Sequence, residues 1–155
     1  MDQENSDSLY TVFSQVIRFH YYRMHLLFEK FGVYPGQHRL FFILGKQEGL
    51  SQRELAERLH IKAATVTVML NRMAKANFIE RRPDADDQRV TRVYLTGQGQ
   101  NILIQVKESL RTIETECFTN FTPEEQILLR RLLMQIRKNL MNACENPGNQ
   151  HSNNR

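Results

Sequence analysis

Ser51 and Glu54 stand three residues apart at the head of a short apolar run, and the segment they open, as far as Leu95, leaves the chain few ways to fold. The spacing is that of a capping box, in which the serine hydroxyl accepts from an early helical N–H and the glutamate reaches back to the serine N–H. Leu55, Ala56 and Leu59 then mark the inner face of a helix. After only His60 and Ile61 a second helix is expected over Lys62 to Asn77, with Val66, Leu70 and Met73 facing inward. Phe78 to Arg82 and Arg89 to Leu95 read as two strands, joined by the polar turn-forming stretch Pro83 to Gln88. Helix, short turn, helix and hairpin in so little chain must pack against one another to hide their apolar sides.

Long helices flank this segment. The chain of 155 residues has only 7 Gly and 4 Pro, which argues for few turns. A first helix is expected from about Asp7 to Phe31, with Leu9, Val12, Phe13, Val16 and Ile17 at helical spacing and Gly32 as its stop. Pro35 suits the first turn of a second helix carrying Leu40, Phe41, Ile43 and Leu44. Thr96 caps a long fifth helix in which Leu103, Val106, Leu110, Ile113 and Cys117 step by three and four. That seam suits a partner helix or an intramolecular core, and the two are compatible. Thr122, Pro123 and Glu125 open a sixth helix reaching about Cys144. The polar end of the chain, 146–155, is expected to be disordered. The fold class is therefore mainly α with a small β-hairpin: four helices, two strands, two helices. Three long helices from the two ends of the chain expose more apolar surface than the centre can cover, so they are expected to pack together and to pair with a second copy.

Composition narrows the function. The chain is 41% hydrophobic and 25% charged, with a net charge of +4. No stretch approaches about 18 consecutive apolar residues, and the start is polar and acidic rather than signal-like, so a cytoplasmic protein without a membrane partner is expected. The two cysteines, Cys117 and Cys144, are read as small apolar residues in helical stripes, with a redox switch as the lesser alternative. His20, His25, His38, His60 and His151 form no i, i+4 metal pair with one another or with a cysteine. His20 and His38 are expected as polar residues at helix surfaces. There is no nucleophile–base set, phosphate loop or metal cluster, so neither an enzyme nor a cofactor is expected.

The basic residues gather between Lys46 and Arg92, which suggests a polyanion partner, although an ordinary solvated surface would look similar. The fourth helix sharpens the choice. Its outer face presents Ala64, Val68, Asn71 and Lys75, with Thr65, Thr67 and Arg72 flanking and Lys62 at its start, and Lys62 to Asn77 contains no acidic residue. A solvated helix surface usually mixes signs. An acid-free face of small, hydroxyl, amide and basic groups can enter a major groove and read base edges. Ser51 and Gln52, at the start of the third helix, can meet phosphate. In the hairpin, Arg81, Arg82, Gln88, Arg89 and Arg92 make a basic wing, suited to a narrow minor groove. Asp86 and Asp87 are expected to orient an arginine there, or to form loose surface pairs. The partner implied is double-stranded DNA.

At these residues the chain resembles the MarR family of bacterial regulators. Three stretches carry the resemblance: Leu50-Ser-Gln-Arg-Glu-Leu-Ala-Glu-Arg-Leu59, Ala64-Thr-Val-Thr-Val-Met-Leu-Asn-Arg-Met73, and Asp87-Gln-Arg89 running to Leu95-Thr-Gly-Gln-Gly99. The last fits a D-x-R wing signature and an L-T-x-x-G close. The resemblance implies a winged helix-turn-helix lobe over 35–96, a dimerisation helix over 1–34 and further dimerisation helices over 97–145. It implies a homodimer on a roughly palindromic operator, usually as a repressor released by a small aromatic or anionic ligand. It gives Arg89 the look of a minor-groove arginine and Asp87 that of its orienting partner. Two positions depart from the pattern: Ala63 stands where proline is common, and Gly97 where a charged helix former is common.

An effector pocket beside the dimer helices would be lined by Arg18, Tyr21, Tyr22, His25 and Phe42, unless these are ordinary packing residues. Residues 1 to 116 hold no cysteine, so sensing through an N-terminal thiol is not supported. A zinc site assembled from separate helices stays open. The competing functions are an architectural DNA binder without effector, and a winged helix that binds protein.

Overall fold

The structure is a computed structural model and describes residues 8–34 and 36–145. The elements in chain order are α1 (Leu9–Phe28), a single 3-10 turn (Glu29–Phe31), α2 (Gln37–Lys46), β1 (Leu50–Ser51), α3 (Gln52–Leu59), α4 (Ala63–Lys75), β2 (Ile79–Pro83), β3 (Thr91–Leu95), α5 (Gly97–Phe118) and α6 (Pro123–Glu145). The chain divides into two compact units, residues 1–114 and 115–155. The mainly helical class read from the sequence is the class observed.

The first unit has one core. Phe28 from α1, Leu40, Phe41 and Leu44 from α2, Leu55 from α3, and Val66, Leu70 and Met73 from α4 are fully buried in it. These are the apolar positions that recur at helical spacing in each segment. Phe41 packs on Phe78 with ring centroids 5.6 Å apart, which ties α2 to the residue just ahead of β2. Leu103, Val106 and Ile113 of α5 are buried in the same core, while Cys117 is exposed. The seam of α5 is thus intramolecular over most of its length.

The hairpin expected from the sequence is one edge of a three-stranded antiparallel sheet, ordered β1-β3-β2. Leu50 pairs with Val93 and Ser51 with Arg92 on one side of β3, and Ile79 to Pro83 pair with Leu95 to Thr91 on the other. Two residues are too few to show an alternation, so β1 carries no period to read. Arg89 and Val90 belong to the turn rather than to a strand. Val90 N–H donates to the Asp87 carbonyl at 2.9 Å, and Asp84 N–H to the Val90 carbonyl at 2.8 Å, closing a loop that the strand pairing cannot enter.

Helix ends differ from expectation in three places. Ser8 caps α1, accepting from Thr11 N–H at 3.2 Å; the expected start at Asp7 lies outside the described residues. The last expected turn of α1 tightens to 3-10 geometry and stops at Gly32, whose φ is 74°. Pro35 also lies outside the described residues, and α2 begins at Gln37 after Gly36 with φ 93°, a conformation that needs glycine. The caps at Thr96 and Thr122 form as read. Gly99 N–H donates to Thr96 Oγ1 at 3.0 Å, and Thr122 and Glu125 exchange backbone-to-side-chain bonds at 2.9 and 3.2 Å.

In the second unit α6 is amphipathic but its apolar residues Leu128, Leu132, Leu133 and Leu140 are exposed. The expected disorder of 146–155 falls outside the described residues. Among the described residues no helix is long and apolar enough to cross a membrane, and no group of three His, Cys, Asp or Glu side chains is placed to hold a metal.

Candidate nucleic-acid interface

The capping box sets the direction of α3. Glu54 N–H donates to Ser51 Oγ at 3.3 Å and Ser51 N–H donates to Glu54 Oε2 at 2.8 Å. The Ser51 backbone N–H, with the Ser51 hydroxyl second, holds the Glu54 carboxyl below its ordinary range. α3 closes at His60, in the left-handed region at φ 54°, and Ile61 N–H returns to the Ala56 carbonyl at 3.2 Å. The chain can then turn into α4 at once. Lys62 is the N-cap of α4 and makes no side-chain cap bond. Thr65 N–H and Val66 N–H return to the Lys62 carbonyl at 3.0 and 3.2 Å, so a side-chain cap is missing only for the N–H groups ahead of them.

With Val66, Leu70 and Met73 buried, the outer stripe of α4 is Ala64, Val68, Asn71 and Lys75, all exposed. Both flanks of that stripe are braced. On one flank Gln52 Nε2 donates to Thr67 Oγ1 and, at 3.4 Å, to the Ala63 carbonyl, so Gln52 joins α3 to α4. Thr67 in turn donates to the Ala63 carbonyl at 2.9 Å. Further along the same flank Arg81 of β2 donates to Asn71 Oδ1 at 2.8 Å. On the other flank the Arg72 guanidinium lies over the Tyr34 ring, 5.3 Å from its centroid. Thr65, also on this flank, is exposed, as is Lys62 at the helix start.

The wing is organised by Asp84, which the sequence places inside an undivided turn. Its Oδ1 accepts from Asp86 N–H at 2.9 Å and Asp87 N–H at 3.0 Å, and its Oδ2 accepts from Arg92 Nε at 2.5 Å. The Asp87 N–H, the Arg92 guanidinium and the Asp86 N–H lower the Asp84 pKa to about 2. Arg92 also donates from Nη1 to the Gly49 carbonyl at 3.2 Å and to Glu54 Oε2 at 3.0 Å. Arg92 thus joins the wing turn, the β1 end and the α3 cap, and most of its donors are committed within the lobe. A proline followed by aspartate at a turn was the available signal for Asp84, since that pair favours an Asx-type turn.

Arg89 is placed differently. Its side chain is 90% exposed. Asp87 Oδ1 accepts from Arg89 Nε at 2.9 Å and Oδ2 accepts from Nη2 at 3.0 Å, a two-point grip on a projecting guanidinium. Asp86 supplies only its backbone N–H to this turn, so the orienting role read for both aspartates belongs to Asp87 alone among the contacts described. Arg82 stacks on Tyr94 at 4.6 Å and pairs with Glu80, which turns it away from Arg92 directly across the ladder. Gln88 is exposed at the turn.

The motif Leu95-Thr96-Gly97-Gln98-Gly99 has a structural reason. Thr96 Oγ1 donates to the Asn77 carbonyl at 2.6 Å while accepting from Gly99 N–H, so one hydroxyl joins the end of α4 to the start of α5. A Cβ on Gly99 would lie 2.0 Å from the Phe78 carbonyl oxygen, a closeness only glycine permits.

The candidate effector residues are less convergent. Arg18, Tyr21, Tyr22 and His25 share one helical face of α1. Tyr21 and Tyr22 are exposed, His25 sits 3.4 Å from Glu29, and Arg18 lies over Phe19. The shallow groove that Arg18 lines also holds Tyr10, Ser14 and Gln15, and none of the other four. Phe42 packs on the core from α2. His38 is not the surface residue expected: its Nδ1 is buried, and burial, with Arg39 and His20 nearby, lowers its pKa. The α2 face that carries it turns toward Phe28, 5.4 Å away between ring centroids.

Residues 33–91 match the sequence profile of the MarR family, and this span contains α2, α3, α4 and the wing turn. Over these residues the chain is similar to the MarR family. It is similar to the HTH-type transcriptional repressor MdtR of Bacillus subtilis, 33% identical over 100 residues that cover 64% of each chain. It is also similar to the uncharacterised HTH-type transcriptional regulator YdgJ of the same organism, 29% identical over 111 residues covering 72% of this chain and 68% of that one. Among solved structures, the reduced form of MarR from E. coli superposes with a TM-score of 0.72 at 22% identity, over 83% of this chain and 96% of that one. The MarR fold is thus shared along most of the chain, while sequence likeness concentrates in the winged lobe. The curated relatives matched over this lobe are named as HTH-type transcriptional regulators.

Proposed function

We propose that the chain acts as a homodimeric repressor that binds a roughly palindromic operator through α4 and the wing. The observation that carries this is the pairing of an acid-free outer face on α4 with a projecting arginine, Arg89, held by Asp87 beyond it. Ala64, Val68, Asn71 and Lys75 would read the major groove, with Lys62, Thr65 and Arg72 at its margin. Arg89 would enter the minor groove. Ser51, Gln52, Arg81, Arg82 and Arg92 would act by setting the positions of these groups and by adding positive potential.

Dimerisation is supported by apolar side chains left exposed on both terminal segments. On α1 these include Leu9, Val16, Ile17 and Phe19, and on α6 Ile127, Leu128, Leu132 and Leu140. Exposed patches of this kind mark interaction surfaces. On this reading residues 1–34 and 97–145 would serve the dimer and 35–96 DNA, and the protein would work in the cytoplasm with the chromosome. A small aromatic or anionic effector would meet the α1 face bearing Arg18, Tyr21, Tyr22 and His25.

Selection of bound fragments from genomic DNA tests the proposal. Recovery of an inverted repeat with one half-site per recognition helix is expected. Equal affinity for unrelated duplexes, with a steep salt slope, would replace it with an architectural role.

A further inference from the structure

Tyr34, in the connector after the 3-10 turn, and Gln37, the first residue of α2, each touch α4. Gln37 is 2% exposed, the one polar side chain among the buried residues described. Its Oε1 accepts from Tyr34 N–H at 3.0 Å and its Nε2 reaches the Met69 carbonyl of α4 at 3.5 Å. The amide that fixes the Tyr34 backbone therefore also bonds the recognition helix. From that fixed point the Tyr34 ring, itself exposed, lies beneath the Arg72 guanidinium.

We propose that Tyr34 is a positioning residue for DNA recognition, holding Arg72 in a conformation ready to meet the nucleic acid. The inference rests on the reading that the outer face of α4 binds DNA. A cation–π stack uses the face of the guanidinium, whereas its N–H donors radiate from the edge. Arg72 can therefore stay stacked while its edge bonds phosphate or a base. An unstacked arginine on an exposed helix samples many rotamers and loses that freedom on binding. Tyr34 removes part of this loss in advance. Arg72 lies on the flank of α4 opposite Gln52 and Arg81, so Tyr34 and Gln37 brace the side that α3 and the wing leave open.

A double-mutant cycle, read by affinity for the tightest duplex recovered from a randomised library, tests this. Arg72→Ala is expected to weaken binding by about tenfold. Tyr34→Leu, which keeps apolar bulk without a π face, is expected to weaken it by about two- to fivefold, and Tyr34→Phe to leave it unchanged. In the Arg72→Ala background Tyr34→Leu should have no further effect. A Tyr34 effect that persists in that background would show a merely structural role and overturn the proposal. So would a silent Tyr34→Leu beside an effective Arg72→Ala. A silent Arg72→Ala would instead remove this arginine from the DNA-binding face and the proposal with it.

Discussion

Asp87 accepts three hydrogen bonds from Arg89: from its backbone N–H at 3.0 Å, from Nε at 2.9 Å and from Nη2 at 3.0 Å. Both side-chain bonds are charge-assisted and lie at the root of an exposed guanidinium, which lowers the Asp87 pKa and raises that of Arg89. The carboxylate thus spends its charge on aim rather than on burial. Arg89→Ala should weaken operator binding by more than about tenfold while leaving the dimer intact. Asp87→Ala should have two opposed effects, because it frees the arginine and also deletes a negative charge beside it. Specific affinity relative to an unrelated duplex should fall by about tenfold, while affinity for the unrelated duplex holds or rises. Filter binding on both duplexes decides; an unchanged ratio counts against the orienting role.

Asp84 gives the wing an acid limit. Its carboxyl is held at about 2, against 3.8 in an unfolded chain. A depressed folded value means stability that is fully present above 3.8 and lost as pH falls toward 2. Acid titration followed by circular dichroism should therefore show a loss of stability in that window. Asp84→Asn should be less stable at neutral pH and show a smaller loss across the window. An identical acid profile for the two proteins would mean that Asp84 does not hold the turn.

Two glycines near the start of α5 make a paired test. Gly97 has open space around its missing Cβ, and Gly99 has the Phe78 carbonyl oxygen 2.0 Å from it. Gly97→Ala should stabilise the lobe by roughly 0.5 kcal/mol through helix propensity. Gly99→Ala should destabilise it by about 1–3 kcal/mol, because α5 must lift from the end of α4. Urea unfolding of both variants gives the comparison, and equal signs would contradict the packing described.

Asn71 is exposed on the outer stripe and accepts from Arg81 at 2.8 Å. The bond ties up the amide oxygen and so restrains the side chain. Asn71→Ala should relax base preference at one position of each half-site by about 1–3 kcal/mol. Repeating the selection with the variant would reveal it, and an unaltered consensus would remove Asn71 from base readout.

Removal of the chain from Thr122 onward deletes α6 with its exposed leucines. The truncated protein should be monomeric or aggregated in sedimentation velocity runs. A stable dimer that still binds DNA would move the interface elsewhere.

Much of the fold was legible from local pattern. The caps at Ser51, Thr96 and Thr122 are bonds between residues three apart, so their partners stand in view of each other along the chain. The inner face of α4 follows from period alone, and Val66, Leu70 and Met73 are all buried as that period requires. The same short range made Asp87 readable beside Arg89. His38 departs from expectation because a helix period says which way a side chain points, not what stands there.

Sequence by itself determined the order of helices, their caps, the buried stripes and the acid-free outer face of the fourth helix. These are properties of neighbours within one or two turns, where backbone geometry dictates who meets whom. Tertiary structure alone decided the long-range ties: β1 on β3, Arg92 between Asp84 and Glu54, Gln37 on Met69 and Tyr34 under Arg72. Arg92 and Glu54 are 38 positions apart, and Gln37 and Met69 are 32 apart. No periodicity links such pairs; they meet only because a shared core folds their elements together, and one polar atom then finds another that would otherwise lack a partner.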